Sequence, residues 1–390
     1  MELPVKTALI CLCLGVLNTA CSPLPRVRNF YSSLDKWPVS GAATGLVLFS
    51  TDSSYTSTDV YFYNFGSGEL SPLTLGESGD AAGKWDGRRL WLFNRAVGRV
   101  SYSMMSPKSG SSSRSVERRT PEANASDPTD WVHMSDVESV LAMGTSGKVA
   151  VANLVSGIAI ANDLGDVDTS VSGVPFRPGV LWRRGEEVAV FHQSLNAAWK
   201  ADGGGRIFIA RRGTAGAWGW VDQDVTTLQT QGVPLNVSDP VAVFDCDGET
   251  CFIAGACYDT SGDACVGGVD EWTWATRSVE HHFNWPFGTV IAGGIAAGPK
   301  TGQVIACLKN STDVNARLVV LDALTGVQSA SWDAGAASCG PFKVDHDGRR
   351  VFAVKQSNGV SILYSLNAEL AEISHVSPRI AVSALEIVSE

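Results

Sequence analysis

Short runs in which apolar and polar residues alternate recur along most of this chain, and clusters of Gly, Asp, Asn and Ser separate them. The runs GLVLFS, DVYFYNF, RLWLFNR, EVAVFHQ and RVFAVKQ have the length and the two-residue period of β-strands. Beyond the first twenty residues, no stretch of a dozen residues keeps the 3.6-residue period of an amphipathic helix. The sequence therefore predicts an all-β fold.

Four such strands, which we label A to D, form a unit that recurs about every 50 residues. An Asp-Gly pair between apolar alternations favours a tight hairpin, because Gly accepts a positive φ angle. Three copies of the unit have such a pair between strands A and B, at Asp86-Gly87, Asp247-Gly248 and Asp347-Gly348. A repeated four-stranded unit of this length is typical of a β-propeller blade.

The two ends of the repeat region complete each other. Residues 45–75 contain three strands, and the tail RIAVSALEIVSE contains one. We expect a seven-bladed β-propeller with four-stranded blades, closed by one C-terminal strand joining three N-terminal strands, because an open ring would leave sheet edges exposed. The alternatives are a pair of β-sandwiches, or eight blades with an extra hairpin within residues 190–230.

The N-terminus has the features of a secretory signal peptide over residues 1–20. Lys6 precedes an apolar run of about fourteen residues, shorter than the roughly 20 that span a bilayer as a helix, and small residues precede Cys21. The sequence LNTAC resembles a bacterial lipobox, which implies that Cys21 is lipidated and, since Ser22 follows it, that the protein resides in the outer membrane. An ordinary secretory cleavage is the alternative.

This reading divides the chain into three parts. The signal peptide covers residues 1–20, a lipidated N-terminus and Pro-containing tether covers 21–43, and the propeller covers 44–390. The formal charge of −10 and the isoelectric point of about 5.1 argue against nucleic acid as a partner.

Six cysteines remain after the signal peptide and Cys21, and an even number in an exported protein favours disulfides. The blade map suggests one pair across an A–B hairpin, one across a B–C loop and one between neighbouring blades. These pairs are Cys246 with Cys251, Cys257 with Cys265, and Cys307 with Cys339. A metal site is the alternative, although the spacing lacks the close pairs that zinc sites use.

The alternating strand direction places the A–B and C–D turns at one end of the ring and the B–C and D–A loops at the other. Several B–C loops are long, and loops held by a rigid scaffold often carry function. We therefore expect the second end, here called the loop end, to be the binding face. The candidate contact residues are Tyr55, Trp199, Lys200, Tyr258, Asp259 and Asn310, since aromatic residues at loop tips often anchor partners.

An enzymatic role has less support in the sequence. Asp80, Asp130 and Asp239 stand near the starts of inner strands and are weak candidates for holding a cation at the channel mouth. No G-x-S-x-G motif occurs, and we predict no catalytic residue and no cofactor. The function predicted first is a membrane-anchored, monomeric binding or scaffold protein for a protein or glycan partner. A propeller hydrolase or lactonase is an alternative.

One blade carries a family resemblance. The segment ARLVVLDALTGVQSASW resembles the repeat of propellers that bind pyrroloquinoline quinone, and also that of the outer-membrane barrel-assembly propeller lipoprotein. The resemblance implies a further alternative role, as a component of outer-membrane protein assembly.

Overall fold

The computed structural model describes residues 44–78, 80–85, 90–96, 99–105, 114–119, 128–135, 138–143, 148–153, 162–166, 177–193, 205–214, 218–221, 232–246, 248–256, 267–286, 289–357 and 360–389. Every regular element within these ranges is a β-strand. The same ranges contain no helix long and apolar enough to cross a membrane. The predicted signal peptide, Cys21 and tether lie outside the described residues.

The strands form seven antiparallel sheets, numbered here in chain order. Sheet 1 contains β1 (Gly45–Thr51), β2 (Ser57–Asn64) and β3 (Leu70–Ser78); sheet 2 contains β4 (Asp80–Trp85), β5 (Leu90–Ala96), β6 (Arg99–Met105) and β7 (Arg114–Arg119). Sheet 3 contains β8 (Pro128–Ser135), β9 (Glu138–Met143), β10 (Lys148–Asn153) and β11 (Asn162–Asp166). Sheet 4 contains β12 (Arg177–Arg184), β13 (Glu187–Gln193), β14 (Arg206–Arg212), β15 (Trp218–Trp220) and β16 (Val233–Pro234).

The remaining three sheets have the same order. Sheet 5 contains β17 (Asp239–Phe244), β18 (Thr250–Ala256), β19 (Gly268–Thr273) and β20 (Ser278–Asn284). Sheet 6 contains β21 (Thr289–Ala297), β22 (Gln303–Asn310), β23 (Arg317–Asp322) and β24 (Gln328–Asp333). Sheet 7 contains β25 (Phe342–Asp345), β26 (Arg350–Ser357), β27 (Val360–Leu366) and β28 (Glu372–Val376), and the last strand, β29 (Ala384–Val388), returns to sheet 1.

The first strands of the sheets contact one another in succession. β12 lies against β8 and β17, β21 against β17 and β25, and β29 against β25 and β4. Between β4 and β8, Lys84 Nζ lies 3.0 Å from Asp130 Oδ1. The A strands therefore surround a common axis from which the sheets radiate, which is the arrangement of a β-propeller.

The middle strands are buried on both faces. In β22, Val304, Ala306 and Leu308 pack against sheet 5, whereas Ile305 and Cys307 pack against sheet 7. A sheet of a sandwich buries one face and exposes the other, so its strands alternate. The continuous apolar run of β22 is therefore explained by neighbouring sheets on both sides.

The predicted meeting of the chain ends is confirmed. β29 pairs antiparallel with β1, with Val388 opposite Gly45 and Ala384 opposite Phe49. The strand is shorter than the predicted run of residues 379–390, because the segment before it bonds to sheet 7 instead: Ser361 N donates to Ile380 O at 3.2 Å.

The alternative of eight blades requires an extra hairpin within residues 190–230. In the described part of this region, no separate sheet is present. Instead β16, just beyond it, pairs with β14 as a short fifth strand of sheet 4.

The hairpin at Asp347-Gly348 is present, but the prediction that Gly348 takes a positive φ is wrong. The positive φ of 46° falls on Arg349. Gly348 lies against the Asp345 carboxylate, which a Cβ there would displace, and its N–H donates to Asp345 Oδ1 at 3.0 Å. At Gly248 the expected positive φ does occur, at 101°. The pair Asp86-Gly87 lies outside the described residues.

Two of the three predicted disulfides are confirmed. Cys246 and Cys251 are bonded across the β17–β18 hairpin, with Cα atoms 4.2 Å apart. Cys307 in β22 is bonded to Cys339, which lies before β25, with Cα atoms 6.0 Å apart. The second bond joins sheets 6 and 7 covalently. The predicted pair Cys257 and Cys265 lies outside the described residues.

Candidate binding site where the chain ends meet

Two loops meet at the loop end of the closing sheet, and we call them together the closure patch: residues 52–56, between β1 and β2, and residues 377–383, between β28 and β29. Hydrogen bonds join the second loop to β1, which leads into the first loop. Thr51 N donates to Ser383 Oγ at 3.1 Å, and the two hydroxyl oxygens lie 3.0 Å apart. Ser383 N also donates to Phe49 O at 2.8 Å. The end of the second loop is therefore held beside the start of the first.

Asp52 fixes the first loop. Its Oδ1 accepts hydrogen bonds from Ser54 N at 3.1 Å and Thr56 N at 2.8 Å, and its Oδ2 accepts one from Thr56 Oγ1 at 2.7 Å. The hydrogen bonds from the Thr56 side chain and backbone hold the pKa of Asp52 below its ordinary value. The carboxylate is thus ionised at neutral pH and bound to its own loop, as in an Asx turn.

Tyr55 lies at the tip of this loop in an unfavourable conformation. Its φ is 55°, and its side chain is 70% exposed. A positive φ is uncommon for a bulky residue, and such strain is often found at functional sites. Tyr55 N donates to Asp52 O at 3.1 Å, so this conformation closes the β1–β2 hairpin, but the exposed aromatic ring does not serve the core.

Arg379 has the corresponding position in the second loop. Its φ is 60° and its side chain is exposed. The loop around it is fixed to sheet 7, because Val382 N donates to Ser361 Oγ at 2.7 Å and Gln356 Nε2 donates to Val382 O at 3.0 Å. Within the described residues, no carboxylate pairs with the Arg379 guanidinium.

The positions of these two residues distinguish them from the other strained residues. In the described chain, four further non-glycine residues have a positive φ: Asp245, Arg277, Arg349 and Leu370. All four lie in A–B or C–D turns at the opposite end, where left-handed residues close tight hairpins. At the loop end, Tyr55 and Arg379 are the described non-glycine residues in this conformation.

The predicted contact residues are not all part of this patch. Tyr55 belongs to it, whereas Asn310 ends β22 in sheet 6, where its Nδ2 donates to Asp313 Oδ2 at 3.2 Å. This bond closes a separate loop whose Val314 is 83% exposed. The predicted residues Trp199, Lys200, Tyr258 and Asp259 lie outside the described residues. The sequence reasoning missed Arg379, since its conformation depends on contacts with Ser361 in another strand.

Two of the three aspartates predicted to hold a cation are part of the packed structure. Asp130 uses both carboxylate oxygens: Oδ1 with Lys84 Nζ at 3.0 Å, and Oδ2 as acceptor from Leu181 N at 2.9 Å. It therefore links sheets 2, 3 and 4. Asp239 begins β17 and is buried. Asp80 begins β4, and its side chain lies outside the described part. Among the described residues, no group of three metal-ligating side chains is present.

A buried histidine–aspartate pair also lies near the loop end. Asp270 is fully buried, and its Oδ2 accepts from the backbone N–H groups of Asn236 and Val237. His282 Nδ1 lies 2.6 Å from Asp270 Oδ1, and Nε2 lies 3.0 Å from Asn284 Oδ1. Burial alone would lower the pKa of His282, but the hydrogen bonds to Asp270 and Asn284 and the charge of Asp270 raise it overall. Both ring nitrogens are occupied, so the pair is a structural link.

No protein-family model matches this chain, and no curated protein matches it either. Solved structures with the same fold include the periplasmic gluconolactonase PpgL of Pseudomonas aeruginosa, with a TM-score of 0.61 and 15% identity over 89% of this chain and 99% of that one. A candidate 6-phosphogluconolactonase from Bacteroides fragilis has a TM-score of 0.57 and 13% identity, covering 89% and 98% of the two chains.

A third similar structure is the β-propeller domain of Cps50 (Swd1) from Myceliophthora thermophila, with a TM-score of 0.55 and 10% identity, covering 84% of this chain and 98% of that one. At such identities the likeness shows the β-propeller fold alone.

Proposed function

We propose that this chain is an exported binding protein that presents its closure patch to a protein partner. The observation that carries the proposal is the pair of exposed residues with a positive φ, Tyr55 and Arg379, on two loops whose ends Thr51 and Ser383 are joined by hydrogen bonds. Tyr and Arg are the residue types, with Trp, that dominate protein–protein hot spots. Because the loops are fixed before binding, little conformational entropy is lost on association.

We further propose that the seven sheets are seven blades of one closed ring, with the last strand joining three N-terminal strands. The successive contacts of the A strands and the pairing of β29 with β1 support this count. In such a ring the closure patch lies at the loop end of sheet 1, the blade in which the two chain ends pair.

The cell envelope is the proposed location, with Cys21 lipidated at the outer membrane. Two disulfides support an oxidising compartment. Metabolic labelling with an alkynyl fatty acid is expected to label the wild-type chain and not the Cys21→Ser variant. Release of both chains in unlabelled, soluble form would exclude the lipid anchor and leave ordinary secretion.

Site-specific photo-crosslinking in intact cells tests the binding proposal. A benzophenone amino acid at position 55 is expected to give one discrete protein adduct, and Arg379→Ala is expected to reduce its yield. The matched control is the same probe at position 327, since Val327 is 65% exposed in a C–D turn at the opposite end. An identical band pattern from positions 55 and 327, or adduct yields unchanged by Arg379→Ala, would refute the proposal. Adducts with glycan only would also refute it.

The identity of the adduct also separates the assembly alternative from the general one. Crosslinking to an integral barrel protein of the outer membrane would support a role in assembly, whereas any other envelope protein would argue against it.

A propeller lactonase is the second candidate function, favoured by the fold shared with a gluconolactonase. The test is hydrolysis of gluconolactone and 6-phosphogluconolactone by the purified chain, with and without a chelator. Hydrolysis above the spontaneous rate would support this function, and chelator sensitivity would show that the hydrolysis needs a cation. A rate equal to the spontaneous one would exclude it for these two substrates.

A further inference from the structure

A cavity of about 320 Å³ lies between the outer strands of sheets 7 and 1. Strands β26, β27 and β28 form one wall, and the C-terminal end of β2 forms the other. Tyr63 at the end of β2 and Arg350 at the start of β26 place it at the A–B and C–D end of the propeller. The cavity is therefore separate from the closure patch at the loop end.

Aromatic side chains from both walls meet at the cavity. Phe65 stacks on Phe352 with ring centroids 5.0 Å apart and planes 18° apart, and Tyr63 meets Phe65 edge-on at 6.2 Å. Phe352 and Leu363 are each 3% exposed. Because Phe65 and Phe352 stack on each other and Phe352 is almost fully buried, the aromatic surface left for another ring is that of Tyr63 and the partly buried Phe65.

A polar atom in the cavity wall has no partner. The Ser365 hydroxyl oxygen is buried and makes no hydrogen bond within the described structure. Buried hydroxyl groups are nearly always hydrogen-bonded, because the unpaired group loses its contact with water. Because this oxygen has almost no solvent-accessible surface, a ligand in the cavity would contact other atoms of Ser365 and not the hydroxyl oxygen.

The mouth of the cavity carries a positive charge. Arg350 is exposed, and no carboxylate in the described part of the chain pairs with its guanidinium. His375 also lines the cavity, and its Nδ1 lies 2.7 Å from Glu372 Oε1, which places a carboxylate near the cavity as well. Arg350 lines the cavity itself, whereas Glu372 does not, so the charge that faces a ligand directly is that of Arg350, which favours an anion.

We propose that this cavity binds a small organic anion with a single aromatic ring, such as an aryl carboxylate. The ring packs against Tyr63 and Phe65, and the carboxylate faces Arg350. The volume of the cavity equals that of about ten water molecules, which suits one ring with a short side chain. The inference does not depend on the function proposed for the closure patch.

The test is a fluorine NMR titration of the purified chain with 4-fluorophenylacetate. Saturable binding with a dissociation constant of about 1 mM is expected for a ligand of this size. Arg350→Met should weaken binding by roughly five-fold or more, because it removes the charged hydrogen-bond donor. Arg349→Met is the matched control: it removes the same charge from the neighbouring position, which does not line the cavity, and should leave the dissociation constant unchanged.

A second variant tests the location independently of charge. Ser374 lines the cavity and is exposed, so Ser374→Trp should fill the space and abolish binding without disturbing the core. Circular dichroism and the melting temperature show that each variant is folded.

The neutral analogue 4-fluorophenylacetamide and the non-aromatic anion glucuronate complete the design. Weaker binding of both than of 4-fluorophenylacetate would support an aromatic anion. Absence of saturable binding, equal affinity for the amide, stronger binding of glucuronate, or equal losses in the Arg349→Met and Arg350→Met variants would each overturn the proposal.

Discussion

The two described disulfides should contribute unequally to stability, because they close loops of very different length. Cys307–Cys339 spans 32 residues, and Cys246–Cys251 spans 5. A crosslink lowers the entropy of the unfolded chain by a constant plus a term that grows with the logarithm of the loop length, which gives about 3.7 kcal/mol for the long loop and about 2.1 kcal/mol for the short one. Replacing Cys307 and Cys339 by Ala should therefore lower the free energy of unfolding by about 1.6 kcal/mol more than the same replacement in the hairpin pair.

Urea unfolding of the two double variants under non-reducing conditions measures this difference, with the fluorescence of the 12 tryptophans as the signal. The predicted third disulfide is left intact in both variants, so its contribution cancels. In the presence of a reductant, the wild-type chain and both variants should converge. Equal losses of stability in the two variants, or a larger loss in the hairpin variant, would refute the loop-length argument.

Three further perturbations test the histidine pair, the closure patch and the closing sheet. Asp270 raises the pKa of His282 in the folded state. The stability that His282 adds, relative to His282→Asn, should therefore be full below pH about 6.5 and fall as the pH rises through the folded pKa. Urea unfolding at several pH values measures this difference, and a gain in stability with rising pH would contradict the direction of the shift. Tyr55→Gly should change the free energy of unfolding by less than about 1 kcal/mol or raise it, because Gly accepts φ 55°, yet the variant should fail to compete with wild-type chain for the crosslinked partner; a destabilised variant that still competes would contradict the assignment. Leu385→Asp places a charge at a site that is 4% exposed and should lower the free energy of unfolding by about 3 kcal/mol or more. The control Ile373→Asp, at a site that is 53% exposed, should leave the melting temperature unchanged. A similar loss in both variants would show that the closing sheet is not critical.

The strands and the closing pair were predictable because their signals are local and repeated. The run from Val304 to Leu308 is apolar without alternation, and only a sheet covered on both faces explains it. The cysteine partners followed from the same map, since Cys246 and Cys251 flank one hairpin. Each of these predictions needed only strand order and direction.

The conformations of single loop residues were not predictable in the same way. Gly348 was expected to carry the positive φ of its turn, but it lies against the Asp345 carboxylate, and Arg349 takes the left-handed conformation instead. Arg379 was missed because Ser361, eighteen positions earlier in the sequence, fixes the loop around it. Strain of this kind depends on contacts between sheets, which the residue pattern does not encode.

The position of the closure patch links binding to the integrity of the ring. One of its loops follows β1 and the other precedes β29, so a partner that contacts both Tyr55 and Arg379 binds only while these two strands are paired. A ligand that binds the folded form alone stabilises it by about 2.7 kcal/mol at a concentration of 100 times its dissociation constant. The same reasoning holds for an anion in the cavity between sheets 7 and 1, which would bind to the closed arrangement of these sheets from the opposite end. Both proposed ligands therefore act on the joint between the two ends of the chain, and each should slow the opening of the other's site even though their sites share no residue.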